Sequence, residues 1–121
     1  MLAALIGISL LFPQLIDSTK TLKEPVPGVG EITFEKRGDI FVARKMYREA
    51  VDSYQQAITA SPRDARLYNK LGISFHRLEM FGPARRSYEE AARLDAKYSE
   101  AVNNLGTIYF AEKRYKREPF R

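Results

Sequence analysis

One fixed step, from Gly38 to Gly72 and again from Gly72 to Gly106, constrains this chain more than any other feature. Tyr68, Leu71, Gly72, Phe75, Ala84, Tyr88 and Ala91 mark one unit. The pattern stands one step earlier as Phe34, Gly38, Phe41, Ala50, Tyr54 and Ala57, and one step later as Val102, Leu105, Gly106 and Tyr109. A fixed period of this length marks a stack of supersecondary units, each of which buries its apolar face only on its neighbours.

The units are helical. Tyr47, Ala50, Val51, Tyr54, Ala57 and Ile58 follow one another at steps of three and four, the stripe of an amphipathic helix. Ala, Arg, Glu, Leu and Lys dominate the middle of the chain, and strong β-formers nowhere alternate with period two, so the fold class is all-α. The first unit, 31–60, is expected to hold helices over 33–45 and 48–60. Pro62 cannot continue the second, and Asp64 caps the next. The second unit, 65–95, is expected to turn at Gly82 and Pro83. It points Ala84, Tyr88, Ala91 and Leu94 inward, with Arg86–Glu90 and Glu89–Arg93 as surface pairs. The third, 99–116, contributes one helix, and Tyr115 falls where Tyr47 and Phe81 open the second helices of the other units.

Three glycines at one register look costly, because Gly in a helix loses about 1 kcal/mol against Ala. Gly38, Gly72 and Gly106 therefore mark places where a neighbouring helix crosses too closely for a side chain. The aromatics at 41, 75, 109, 54 and 88 fill the spaces beside them. Gly72→Leu is expected to overpack this contact, at a cost on the order of 1–3 kcal/mol.

The two ends differ from the repeats. Residues 1–16 carry no charged side chain. The apolar run is shorter than the roughly 20 residues of a membrane-spanning helix and has the length of a signal-peptide core. An exported or membrane-associated protein is expected, with a cytoplasmic one as the alternative. Residues 17–30 hold Pro25, Pro27, Gly28 and Gly30 and read as a linker. The formal charge is +5, of which +4 lies in residues 113–121. The body of the chain is thus near neutral and not a nucleic-acid surface; the basic excess belongs to the tail, 117–121, and the four residues before it. No cysteine is present, which excludes disulfides and thiol chemistry. His76 is the single histidine, and no phosphate-binding, dinucleotide or zinc-hydrolase motif occurs, so neither a catalytic residue, a metal nor a cofactor is expected.

The pattern aromatic-x-x-Leu-Gly-x-x-aromatic followed by Ala-x-x-x-aromatic resembles the tetratricopeptide repeat. Units one and two carry both halves of it and unit three the first half, over 31–116. Two departures stand out. Arg37 replaces the Leu of positions 71 and 105, and Ala96 replaces the closing Pro, so a longer helix is expected to join units two and three. The resemblance implies an α-solenoid of antiparallel helix pairs, about two and a half repeats, whose first helices line a concave groove that takes a peptide or partner helix. In this chain the groove residues would include Ile32, Glu35, Asp39 and Val42, then Arg66, Asn69, Ile73, His76 and Arg77, then Glu100, Asn103, Asn104, Thr107 and Phe110. Spacing supports this separately, because 66, 69, 73 and 76 share a face that is not the face of Tyr68, Leu71 and Phe75. Asn69, Asn103 and Asn104 offer donors and acceptors to a ligand backbone, and Arg66 and Arg77 can pair a carboxylate. Some family members clamp a C-terminal carboxylate with basic first-unit residues, but those places hold Glu35 and Asp39 here.

The chain is thus expected to be a non-catalytic protein-interaction module, of scaffold or assembly type. Its partners are a protein or peptide, with self-association through the exposed last helix and membrane association through 1–16 as further expectations. Two other readings stand beside it: an anionic-surface binder acting through 113–121, and the repeat portion of a larger enzyme-associated protein.

Overall fold

A computed structural model of the chain describes residues 32–117, and the hydrophobic segment 1–16, the linker 17–30 and the tail residues 118–121 lie outside the described residues. Five α-helices follow one another: α1 Phe34–Ala43, α2 Tyr47–Ala60, α3 Ala65–Arg77, α4 Phe81–Leu94 and α5 Ser99–Arg117. No strand occurs among the described residues.

Local chemistry sets the helix ends. The Thr33 hydroxyl accepts from the Lys36 amide, and the Asp64 carboxylate accepts from the Arg66 amide at 3.0 Å. After α1 and α3 the chain reverses through Lys45 and Glu79, both left-handed at φ 59°. The next amides, of Met46 and Met80, reach back to Phe41 and Phe75 at 2.8 and 2.9 Å and close the last helical turn. The second reversal therefore lies upstream of Gly82 and Pro83, which sit inside the first turn of α4.

Each helix packs on the next, α1 on α2 through to α4 on α5, and α3 also touches α5. This is the expected all-α solenoid of helix pairs. One apolar cluster joins Ala50, Val51, Tyr54 and Leu71; a second joins Ala84, Tyr88 and Ile108. The Phe75 ring packs against both and ties the units together. The glycine register works as expected twice. A Cβ on Gly38 or Gly72 would fall within 2.7 and 2.6 Å of the Tyr54 and Tyr88 rings, inside carbon contact distance.

Three expectations change, while the third unit forms its one expected helix. A Cβ on Gly106 would meet nothing within 4 Å, so the third glycine has no crossing helix among the described residues. No turn forms at Lys113, one period after Glu79; α5 continues to Arg117, and Tyr115 lies on it with its ring edge 5.7 Å from Phe81. Ala96 lies in a break, where the Asp95 carboxylate accepts from the Lys97 amide at 3.0 Å, so no helix spans the second and third units. The α4 surface pairs are Arg85–Glu89 and Glu90–Arg93 rather than those read from spacing. Arg37 is exposed on α1 and stacks over the Phe34 ring.

Candidate functional site

Helices α1, α3 and α5 stand side by side, and two polar rungs join them. In the first, the Lys70 ammonium donates to Glu35 Oε1 at 2.8 Å and to both Asp39 carboxylate oxygens at 2.9 and 3.0 Å. Arg66 adds weaker contacts, 3.5 Å to Glu35 and 3.0 Å to Asp64. The Tyr54 hydroxyl donates to Asp39 Oδ1 at 2.7 Å from below. Burial raises the Tyr54 pKa, and the Asp39 carboxylate raises it further. Burial draws the Lys70 pKa down, but Glu35 and Asp39 outweigh it and hold the group above the ordinary lysine value.

The second rung repeats the geometry with amides in place of charges. Asn104 Nδ2 donates to Asn69 Oδ1 at 2.9 Å, while Asn69 Nδ2 donates to Tyr98 Oη and Glu100 Oε1 at 3.2 and 3.1 Å. Asn69 is only 1% exposed, so its amide is consumed inside the protein. The residue expected to offer hydrogen bonds to a ligand instead fastens α5 to α3.

The rungs differ below as well. Position 73 corresponds to 39, and Ile73 cannot accept a hydrogen bond from Tyr88 as Asp39 does from Tyr54. Burial pushes the Tyr88 hydroxyl up to about 12. It lines a cavity of about 540 Å³ formed with Ile73, His76, Arg77, Phe81, Glu100 and Asn104, closed at its edge by Glu79 and Ala111. The His76 ring meets Phe81 edge-on at 5.9 Å. Burial, and then the Arg77 charge, lower the His76 pKa and favour the neutral ring. A neighbouring cavity of about 370 Å³ shares Glu79, Phe81 and Ala111 and adds Phe110, Arg114 and Tyr115.

Of the residues expected in the groove, Ile73, His76, Arg77, Glu100 and Asn104 meet in one cavity and Phe110 lies in the next. Arg66 stands apart beside the first rung, and Asn69 lies behind the second. Asn103 and Thr107 are exposed but line neither cavity; the Thr107 hydroxyl donates to the Asn103 carbonyl at 3.1 Å. Sequence reasoning missed Lys70, although it is the counterpart of Asn104 one period earlier, and missed Tyr88 by assigning it wholly to the core. Among the described residues, no group of three or more His, Asp or Glu side chains stands close enough to hold a metal ion.

Two family models match the chain, "TPR repeat" over 38–79 and "Tetratricopeptide repeat" over 77–119. The chain belongs to the tetratricopeptide repeat family. Among tetratricopeptide proteins, the "Tetratricopeptide repeat domain-containing protein PYG7, chloroplastic" of Arabidopsis thaliana is 33% identical over 102 residues, 79% of this chain and 34% of that protein. The "Hsp70-Hsp90 organizing protein" of Triticum aestivum is 26% identical over 75% of this chain, which spans only 16% of that protein. The Sgt2 tetratricopeptide domain from Aspergillus fumigatus superposes with a TM-score of 0.65 at 29% identity, over 69% of this chain and 55% of that one. The first tetratricopeptide domain of Spaghetti (RPAP3), bound to the HSP90 peptide SRMEEVD, gives 0.65 at 24% identity over 69% and 68% of the two chains, a likeness of fold. No described helix is long and apolar enough to cross a membrane.

Proposed function

We propose that this tetratricopeptide chain is an interaction module whose α1/α3/α5 side binds an extended peptide or partner helix, seated in the cavity between α3 and α5. The convergence of Tyr88, His76 and Arg77 on one cavity carries this reading. Its floor is made apolar by Ile73 and Phe81, with the Arg77 guanidinium beside them. A few polar groups converging on an apolar floor suit a ligand with one anchored side chain and a hydrogen-bonded backbone. Solenoids use their concave side in this way, and the neighbouring structure holding SRMEEVD supports a peptide as the ligand class.

The first rung bears on selectivity. Glu35 and Asp39 already hold Lys70, so a carboxylate arriving at this end meets two carboxylates that share one ammonium. An acidic C-terminal peptide such as SRMEEVD should therefore bind this chain more weakly than peptides selected from a neutral array. The test is fluorescence anisotropy on array-selected peptides, with the full chain, Tyr88→Phe and Arg77→Ala. Weakening by about tenfold in Arg77→Ala is expected. Equal affinity in all three proteins would place the ligand elsewhere.

A scaffold or assembly role follows if two partners bind at once. A second reading rests on Lys113, Arg114, Lys116 and Arg117, all exposed at the end of α5. Binding to anionic vesicles that falls steeply with salt and is lost on changing these four to Gln would favour it. Membrane or export targeting by 1–16 is read from sequence alone, and a wholly cytosolic full-length product on fractionation would reject it.

A further inference from the structure

One face of α5 repeats a socket that is filled twice elsewhere in the same molecule. Gly38 takes the Tyr54 ring and Gly72 takes the Tyr88 ring, each ring coming from the second helix of the glycine's own unit. Gly106 is the third member of the register, yet nothing among the described residues approaches within 4 Å of where its Cβ would stand. Helical spacing places Val102 and Tyr109 beside it, and both are exposed, at 45% and 49%, with the Tyr109 hydroxyl donating to Glu89 of α4 at 2.9 Å and its ring left half open. The same stripe continues through Lys113, Lys116 and Arg117. The turn that brings the filling ring back in the other units does not form here, because α5 runs on through Lys113 where α1 and α3 give way to a left-handed residue.

We propose that the Val102–Gly106–Tyr109 face docks an amphipathic helix of a partner protein. That helix presents one aromatic ring between two small residues, as Ala50-x-x-x-Tyr54-x-x-Ala57 does in α2. It carries acidic residues in its first turns. The ring requirement follows from the two occupied sockets. The charge requirement follows from orientation. Helices paired like α1 and α2 run antiparallel, so the N-terminal end of the incoming helix meets Lys113, Lys116 and Arg117, where carboxylates also suit the helix dipole. This surface is separate from the groove cavity and does not depend on the groove reading.

The probe is a synthetic, end-blocked peptide of the α2 sequence, residues 47–60, with one Arg against one Glu and one Asp. Controls are its Tyr54→Ala version and a peptide of the α4 sequence, 81–94, with three Arg against two Glu. Binding to the full chain is read by fluorescence anisotropy, beside Gly106→Leu, which fills the socket from within. Gly106 has no neighbour to clash among the described residues, so this variant keeps the wild-type circular dichroism and melts no lower than the wild type. The expected result is that the α2 peptide binds, that Gly106→Leu and the Tyr54→Ala peptide each weaken it about tenfold or more, and that the α4 peptide binds less well at low salt. Three results would overturn the proposal. The α2 peptide fails to bind at about 1 mM, well above typical peptide affinities. Its binding ignores Gly106→Leu. Or sedimentation shows a dimer that Gly106→Leu dissociates, which assigns the socket to a second copy.

Discussion

The Gly72→Ala and Gly106→Ala pair isolates close helix crossing from helix propensity. Both glycines lie inside helices, and both variants add one methyl to the same register. Each should gain about 1 kcal/mol from the helix preference of Ala over Gly. At Gly72 the new Cβ would lie 2.6 Å from Tyr88 Cδ1 and Cε1, about 1 Å inside the 3.5–4.0 Å of favourable carbon contacts. The ring cannot withdraw, because it is 1% exposed and packed with Ala84 and Ile108. Overpacking of this kind costs about 1–3 kcal/mol. Gly72→Ala should therefore range from neutral to about 2 kcal/mol less stable, and Gly106→Ala should be about 1 kcal/mol more stable. The propensity terms cancel in the difference, leaving about 1–3 kcal/mol between the variants, at least about 4 °C in a domain of this size. Thermal melts followed by far-ultraviolet circular dichroism measure it. Equal melting temperatures would refute the claim that Gly72 marks a helix crossing and Gly106 does not.

Three further outcomes follow from the rungs and the cavity. Lys70→Met should lose about 1 kcal/mol in urea titration, since Lys70 is partly shielded and bridges two carboxylates, and most of that loss should vanish at 1 M salt, where screening lengths fall to about 3 Å. Asn69→Ala should cost about 1–3 kcal/mol by the same titration, because it strips partners from Asn104, Tyr98 and Glu100 at a buried position. The His76 pKa is lowered in the fold, so the unfolded chain takes the proton first. Stability should hold above the ordinary imidazole range near about 6.5, fall as pH drops through it, and level off below the folded value. His76→Gln should flatten that step in pH-dependent urea midpoints.

The period makes the buried framework legible because large and small side chains recur at it. Ala50, Tyr54, Ala57, Ala84, Tyr88 and Ala91 are all buried, and each is readable from its partner one period away. The site is less legible, because spacing on one helix fixes a face but not how far a neighbouring helix covers it. Asn69 shares its face with Ile73 and His76, yet Tyr98, Glu100 and Asn104 of the next unit enclose it. Ile73 lines the cavity where the repeat would place a counterpart of Asp39, and that difference is visible only once Tyr54 is seen bonded to Asp39. The missing turn at Lys113 has a different cause. Left-handed backbone at a residue other than Gly costs about 1–2 kcal/mol. At Lys45 and Glu79 that cost is offset by the packing of α2 and α4, and at Lys113 no following helix packs back among the described residues.

The contrast between the rungs gives this solenoid a direction. The α1–α3 rung is ionic and partly open to solvent, while the α3–α5 rung is centred on two amides and holds no ion pair between the two helices among the described residues, with Asn69 buried. Dissolved ions weaken the first and leave the second nearly untouched. Raising ionic strength should therefore loosen α1 while α3 and α5 stay fastened, so that its amides exchange with deuterium ahead of theirs. The ionic composition of the surroundings then sets how firmly α1 is held, while the Asn69–Asn104 contact keeps α5 on α3 whatever the salt.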